Sequence, residues 1–186
     1  MNVKISTPTM KFNHVDYLWD EKKALTLGDN QVELFLYRSN ILGADLRITN
    51  YGGGNTSCKT IEKDPLTNED VEVMWVKGSG GDIGTLTRSG IAGLYTGRLR
   101  DLKSVYGGLK DEDRMVGLFN HCIYDLESKA PSIDTPLHGL LPFAHIDHLH
   151  PDALIAVAAA KDSKKVTKEI WGDTMGWVPW QRPGFD

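Results

Sequence analysis

The stretch Asn50-Tyr-Gly-Gly-Gly-Asn-Thr-Ser57 decides how this chain is read. It follows Leu46-Arg-Ile-Thr-Asn50, which reads as a short strand running into the glycine cluster. Successive glycines let backbone N–H groups converge on an anion, and Asn55, Thr56 and Ser57 add side-chain donors. That chemistry suits one phosphate group; a glycine-rich hairpin is the purely structural alternative. A Walker A loop is excluded, because no Gly-Lys-Ser/Thr stands at the required spacing.

A second glycine cluster lies in Val76-Lys-Gly-Ser-Gly-Gly-Asp-Ile-Gly84, directly after the alternating segment Val71–Val76, which reads as a strand. Its spacing is G-x-G-x-x-x-G, no βαβ unit surrounds it, and Thr85–Gly90 does not continue as an amphipathic helix. A second phosphate-facing turn fits better than a nicotinamide site. Asp64-Pro-Leu-Thr-Asn68 is a turn between strands.

Four of the six histidines, His138, His145, His148 and His150, fall within 13 consecutive residues. Uniform scattering does not produce such a cluster. In an extended segment residues i and i+2 share a face, so His148 and His150 present two imidazoles together, the usual start of a zinc site. Polar loop residues, or core histidines bonded to carbonyls, are the alternative. Asp134 and Asp147 tilt the reading toward metal, since a ligating imidazole takes a carboxylate partner on its other nitrogen. A catalytic zinc usually has three protein ligands. The third would come from His145, His138, a carboxylate, or residues outside this chain.

Around these motifs, Val15–Lys23 reads as a short helix and Asp29 or Asn30 as the cap of a second, with Val32, Leu34, Phe35, Ile41 and Leu42 as its buried stripe. Ser89–Tyr95 reads as a strand, Asp113–Tyr124 as a helix, and Pro131–His138 as a distinct segment followed by a short helix. Phe143–Asp147 reads as a strand, Pro151–Ala160 as a helix and Lys161–Ile170 as an exposed one. The ending, Trp171–Asp186, holds three tryptophans and reads as a cut through a domain.

Composition sets the outer limits. The chain has 186 residues, 40% hydrophobic and 25% charged, with a net charge of −4. No basic field recruits nucleic acid or an anionic membrane. Two cysteines are too few for a disulfide scaffold, so a soluble, cytoplasmic protein is expected. No apolar leader or membrane-length run is visible.

Taken in order, these segments resemble one family, the class II aldolase/adducin family. Asn50–Ser57 resembles its Gly-Asn-x-Ser phosphate loop, and Lys77-Gly-Ser-Gly80 its second phosphate turn, with Ser79 and Gly80 at a Thr/Ser-Gly pair. Pro131-Ser-Ile-Asp134 resembles its Pro-Ser-Ser-Glu segment, and His148-x-His150 its zinc pair. The likeness runs from about residue 30 onward. The wording of Pro131–His138 and Phe143–Asp152 is most similar to the aldolase part of bifunctional rhamnulose-1-phosphate aldolase/alcohol dehydrogenases.

The resemblance implies an α/β three-layer fold, a central and mostly antiparallel sheet flanked by helices, assembled as a homo-oligomer, a tetramer in the intact family. It implies Zn2+ on His148 and His150, Asp134 as catalytic acid or base, and Asn55, Ser57, Ser79, Gly80 and Ser132 around the phosphate of a sugar-phosphate substrate. The reaction expected is cleavage of L-rhamnulose 1-phosphate to dihydroxyacetone phosphate and L-lactaldehyde. A pentulose-phosphate 4-epimerase or a non-catalytic adducin-like module are the alternatives. Asp134 stands where relatives carry Glu, Ile133 replaces the second serine, and no histidine follows His150. Residues 1–186 are therefore expected to be the N-terminal portion of an aldolase domain, truncated at its C-terminus.

Overall fold

The computed structural model of the chain describes residues 16–185. The start of the helix expected from Val15 lies outside them. Helix α1 (Glu21–Thr26) begins where Asp20 accepts hydrogen bonds from the backbone N–H groups of Lys22 and Lys23. Helix α2 (Gln31–Ala44) begins where Asn30 does the same for Val32 and Glu33. Each such cap contributes about 1 kcal/mol by satisfying N–H groups that the helix itself cannot.

The strand expected at Leu46–Asn50 does not form. Asp45 instead accepts from the Arg47 backbone and guanidinium, and the Ile48 N–H returns to the Asp45 carbonyl at 3.0 Å. A local carboxylate partner competes with a strand ladder and wins here. The chain becomes extended only at Asn55.

Strands β1 (Asn55–Lys63), β2 (Asp70–Lys77) and β3 (Ile91–Tyr95) follow, and β4 (His145–His148) completes one antiparallel sheet of order β3-β2-β1-β4. Asp64 holds the β1–β2 turn through the N–H groups of Leu66 and Thr67. Alternation sends Met74, Val76, Ala92 and Leu94 to one face, where they pack with Leu99, Met115 and Phe119. It sends Cys58, Val73, Trp75 and Ile91 to the other, against Val32, Phe35 and Leu36 of α2. Each fully buried side chain of this size stabilises the fold by about 1.5–3 kcal/mol. The three layers expected, with helices on both faces of an antiparallel sheet, are present.

On the Met74 face lie α3 (Thr96–Asp101), which carries Leu99, and α4 (Glu112–Leu118), which carries Met115. The helix expected to run to Tyr124 stops at Leu118 and tightens into a 3-10 turn at Phe119–Cys122. Ile123 then bridges to Leu94 of β3, which draws the backbone out of helical geometry. Helix α5 (Thr135–Leu140) starts earlier than expected, with Pro136 in its first turn, so His138 stands inside a helix. Helices α6 (Asp152–Ala158) and α7 (Ser163–Trp171) pack on one another. After α7, Val178 and Trp180 are exposed, whereas Phe185 returns to the core beside Tyr106 and donates its N–H to buried Glu112 at 2.8 Å. Among the described residues no helix is long and apolar enough to cross a membrane.

Candidate active site

Strand β4 lies along β1 with Asn55 opposite His148 and Ser57 opposite Ile146. Directly paired residues share a face, so the Asn55, Ser57 and His148 side chains project from the same side of the sheet. The glycines before β1 make this approach possible. Gly54 has φ +76, and a Cβ there would collide with the His148 carbonyl oxygen. A Cβ at Gly53 would sit 2.7 Å from His150 Nδ1. The run assigned from sequence to anion binding therefore also seats the His148–His150 segment.

His148 Nε2 lies 3.0 Å from His150 Nε2, with ring centroids 4.7 Å apart. An ion held at about 2.0–2.1 Å from each would need them only a few tenths of an ångström further apart. Burial holds the His148 pKa below the ordinary imidazole value; Asp134 opposes that shift, and His150 and Lys77 add to it. The ring is thus kept neutral, the form that ligates metal. The pair fits two positions of a zinc site. Among the described residues no three His, Cys, Asp or Glu side chains are grouped closely enough to hold an ion.

The other candidates for a third ligand are turned elsewhere. Register places His145 and Asp147 on the α2 side of the sheet. There Arg38 lies 2.8 Å from His145 Nδ1 and 3.1 Å from Asp147 Oδ1, and it also donates to the Ser57 carbonyl at 2.8 Å. Asp147, expected as the carboxylate behind a zinc-bound imidazole, is instead the partner of Arg38. His138 is wholly buried, its Nδ1 2.8 Å from Ser57 Oγ. The Ser57 hydroxyl, expected at the phosphate, is the partner of His138.

The two glycine turns meet. Asn55 Nδ2 donates to the Lys77 carbonyl at 3.3 Å, and the Gly52 N–H donates to Asp82 Oδ1 at 2.8 Å. Gly78 bridges to Pro131, and the Ser79 N–H reaches the Ala130 carbonyl at 2.8 Å, so the 131–134 segment joins the same corner. The backbone N–H groups of Gly52, Gly53, Gly78 and Ser79 are consumed by these internal bonds. Those of Gly80 and Gly81, at φ +70 and +77, have no partner among the described residues. Unpartnered glycine N–H groups thus stand mainly in the second turn.

Ser132 Oγ donates to Asp134 Oδ2 at 3.1 Å and accepts the Asp134 N–H at 3.3 Å, fixing the carboxylate at the head of α5. Sequence reasoning passed over Lys77. It is 4% exposed, yet its ammonium has no hydrogen bond or ion pair among the described residues. Burial lowers its pKa, and the Asp134 and Asp82 carboxylates oppose the shift. An ammonium at this corner that no protein group holds can pair with a bound anion. The available signal was a lysine closing an apolar strand and opening a glycine turn.

Comparison with known proteins fits this arrangement. The family model for the class II aldolase and adducin N-terminal domain matches residues 36–186, and the chain belongs to this family. The N-terminal class II aldolase domain of a conserved protein from Thermoplasma acidophilum has the same fold, with TM-score 0.78 and 27% identity over 92% of this chain and 76% of that one. The uncharacterized oxidoreductase YuxG of Bacillus subtilis (strain 168) is 42% identical over 171 residues, 92% of this chain and 24% of that protein. The chain thus spans about a quarter of that relative's length. Neither description names a sugar substrate.

Proposed function

We propose that this domain performs class II aldolase chemistry, the zinc-dependent retro-aldol cleavage of a ketose 1-phosphate, with L-rhamnulose 1-phosphate as substrate. Family membership supports an aldolase- or epimerase-type reaction in general. The observation that carries the finer reading is the facing His148–His150 pair, with Asp134 acting on both His148 and the nearby Lys77. The wording of Pro131–His138 and Phe143–Asp152 supports the choice of sugar. The oxidoreductase name of YuxG describes a protein of which the matched part is 24%, in keeping with an aldolase part joined to a dehydrogenase.

His148 and His150 would hold the zinc, with any further protein ligand coming from outside the described residues. When bound, zinc supplies Lewis acidity to the ketose carbonyl and the hydroxyl beside it. The Gly80 and Gly81 N–H groups, the Ser79 hydroxyl and the Lys77 ammonium would hold the phosphate. Asn55 ties the two turns together, and Ser57 supports the site from within the core. Ser132 orients Asp134. In cleavage Asp134 takes the proton of the fourth-carbon hydroxyl as that carbon becomes the aldehyde, the bond between the third and fourth carbons breaks with its electron pair left on the dihydroxyacetone phosphate half, and Asp134 returns the proton to the third carbon. The same reading puts the protein in the cytoplasm as a homo-oligomer.

The test is zinc-loaded protein incubated with L-rhamnulose 1-phosphate, following release of dihydroxyacetone phosphate, with a pentulose 5-phosphate in parallel. Cleavage of the rhamnulose ester is expected. Epimerisation of the pentulose ester without cleavage would move the assignment to a 4-epimerase. Zinc binding with no turnover of either would exclude both substrates.

A further inference from the structure

Two buried ring nitrogens near the metal pair are left without partners: His138 Nε2 and His148 Nδ1. Their placement is related. Ser57, which holds His138 Nδ1, stands two residues along β1 from Asn55, the cross-strand partner of His148. Both contacts are therefore on one face of the sheet. After burial itself, His148 is the side chain with the largest electrostatic effect on His138. The rings make no direct hydrogen bond to each other. Buried polar atoms in folded proteins are almost always paired, with protein or with ordered water.

We propose that His138 is a positioning residue for the metal ligand His148: anchored to Ser57 through Nδ1, it holds the His148 ring from its Nδ1 side through one bridging water. The inference rests on the zinc reading above. One proton arrangement satisfies every nitrogen. For His148 to ligate through Nε2, its proton sits on Nδ1 and is donated to the water. The water donates to His138 Nε2, which leaves the His138 proton on Nδ1, donated to Ser57 Oγ. The 3.0 Å contact between His148 and His150 agrees, since His150 Nε2–H can donate to an unprotonated His148 Nε2 when no ion lies between them. A ligating imidazole whose second nitrogen is held keeps its tautomer and orientation, and losing such a partner costs about 10–100-fold in metal affinity. This accounts for a wholly buried histidine in α5, where leucine would pack without polar cost.

The experiment compares His138→Asn with His138→Gln in the full chain. Asparagine keeps a polar group near the Nδ1 position, within reach of Ser57, and loses Nε2; glutamine keeps a polar group near Nε2. Zinc competition against a chromophoric chelator should show a loss of about 10–100-fold for H138N, with H138Q close to wild type. Nitrogen-15 NMR of zinc-free protein should show a slowly exchanging His148 Nδ1 proton in wild type and H138Q, lost in H138N. Equal zinc affinity and an unchanged tautomer in both variants would overturn the proposal. If wild type binds no zinc, the metal reading fails, and the NMR comparison still decides the role of His138. If H138N does not fold, the wild-type spectrum decides: a fast-exchanging or absent Nδ1 proton overturns the proposal.

Discussion

The Asn55 side chain donates to the main-chain carbonyl of Lys77 across 3.3 Å, tying the first residue of β1 to the last of β2. Both residues are buried, and the bond sets where the glycine turns meet. Asn55→Asp replaces the donor with a carboxylate facing a carbonyl oxygen, at a cost of about 1–3 kcal/mol. The phosphate corner should open while His148 and His150 stay in place. Calorimetric titration should show dihydroxyacetone phosphate binding weakened at least about tenfold, with zinc affinity changed much less. Equal losses of both would reduce Asn55 to a structural residue.

Gly54→Ala should strike the metal pair instead. The backbone conformation alone costs a Cβ-bearing residue about 1–2 kcal/mol, and the new methyl meets the His148 carbonyl oxygen. The His148–His150 segment must move away from β1. Zinc affinity should fall more than phosphate affinity, the reverse of the Asn55 variant, and thermal unfolding should shift down. Unchanged zinc affinity would show that the close approach is not needed for the pair.

Stability should fall on mild acidification because of His138. Burial pushes its pKa down to about 3, and the charges of His148, Lys59 and Arg38 act in the same direction. The unfolded ring titrates at about 6.5. Between these values the unfolded chain takes up a proton that the native chain refuses. The neutral native ring therefore carries no penalty above pH 6.5, and stability declines as pH drops toward 3. Urea unfolding should lose on the order of 2 kcal/mol between pH 7.5 and 5 from this residue. His138→Gln should flatten that slope; an identical slope in the variant would assign it to other groups.

Much of the fold could be read from local patterns. Asp29 or Asn30 announced the start of α2, and Asn30 caps it; the alternation of Val71–Val76 announced β2, and Asp64–Asn68 announced the turn between β1 and β2. The failures were places where a long-range or competing contact decides. Asp45 diverts Leu46–Asn50 from a strand through Arg47, and Ile123 is drawn from a helix by Leu94. At the site, the i, i+2 spacing of His148 and His150 was visible, but periodicity could not tell which histidines share a face. Register against β1 does, sending His145 to Arg38 and leaving His148 beside Asn55. Lys77 and His138 matter through burial and unmet hydrogen-bonding capacity, which a sequence does not display.

Asp134 offers the sharpest division between proton transfer and metal holding. Its carboxylate accepts from Ser132 at 3.1 Å, and its charge acts on both His148 and Lys77. If Asp134 moves a proton at the substrate carbon, Asp134→Asn keeps size and the Ser132 contact but cannot take or return that proton. Turnover of L-rhamnulose 1-phosphate should then fall by about 10²–10⁴-fold, the usual worth of a positioned acid or base. Zinc affinity should stay within a small factor, because the converging donors are the two imidazoles. Asp134→Glu should recover part of the activity, since the acid is restored on a longer arm that Ser132 no longer grips as well. Ser132→Ala should lower turnover less than D134N does, because the carboxylate remains but is no longer oriented. A D134N protein that loses zinc in proportion to activity would instead make Asp134 a ligand, and the proton would have to be carried by another group.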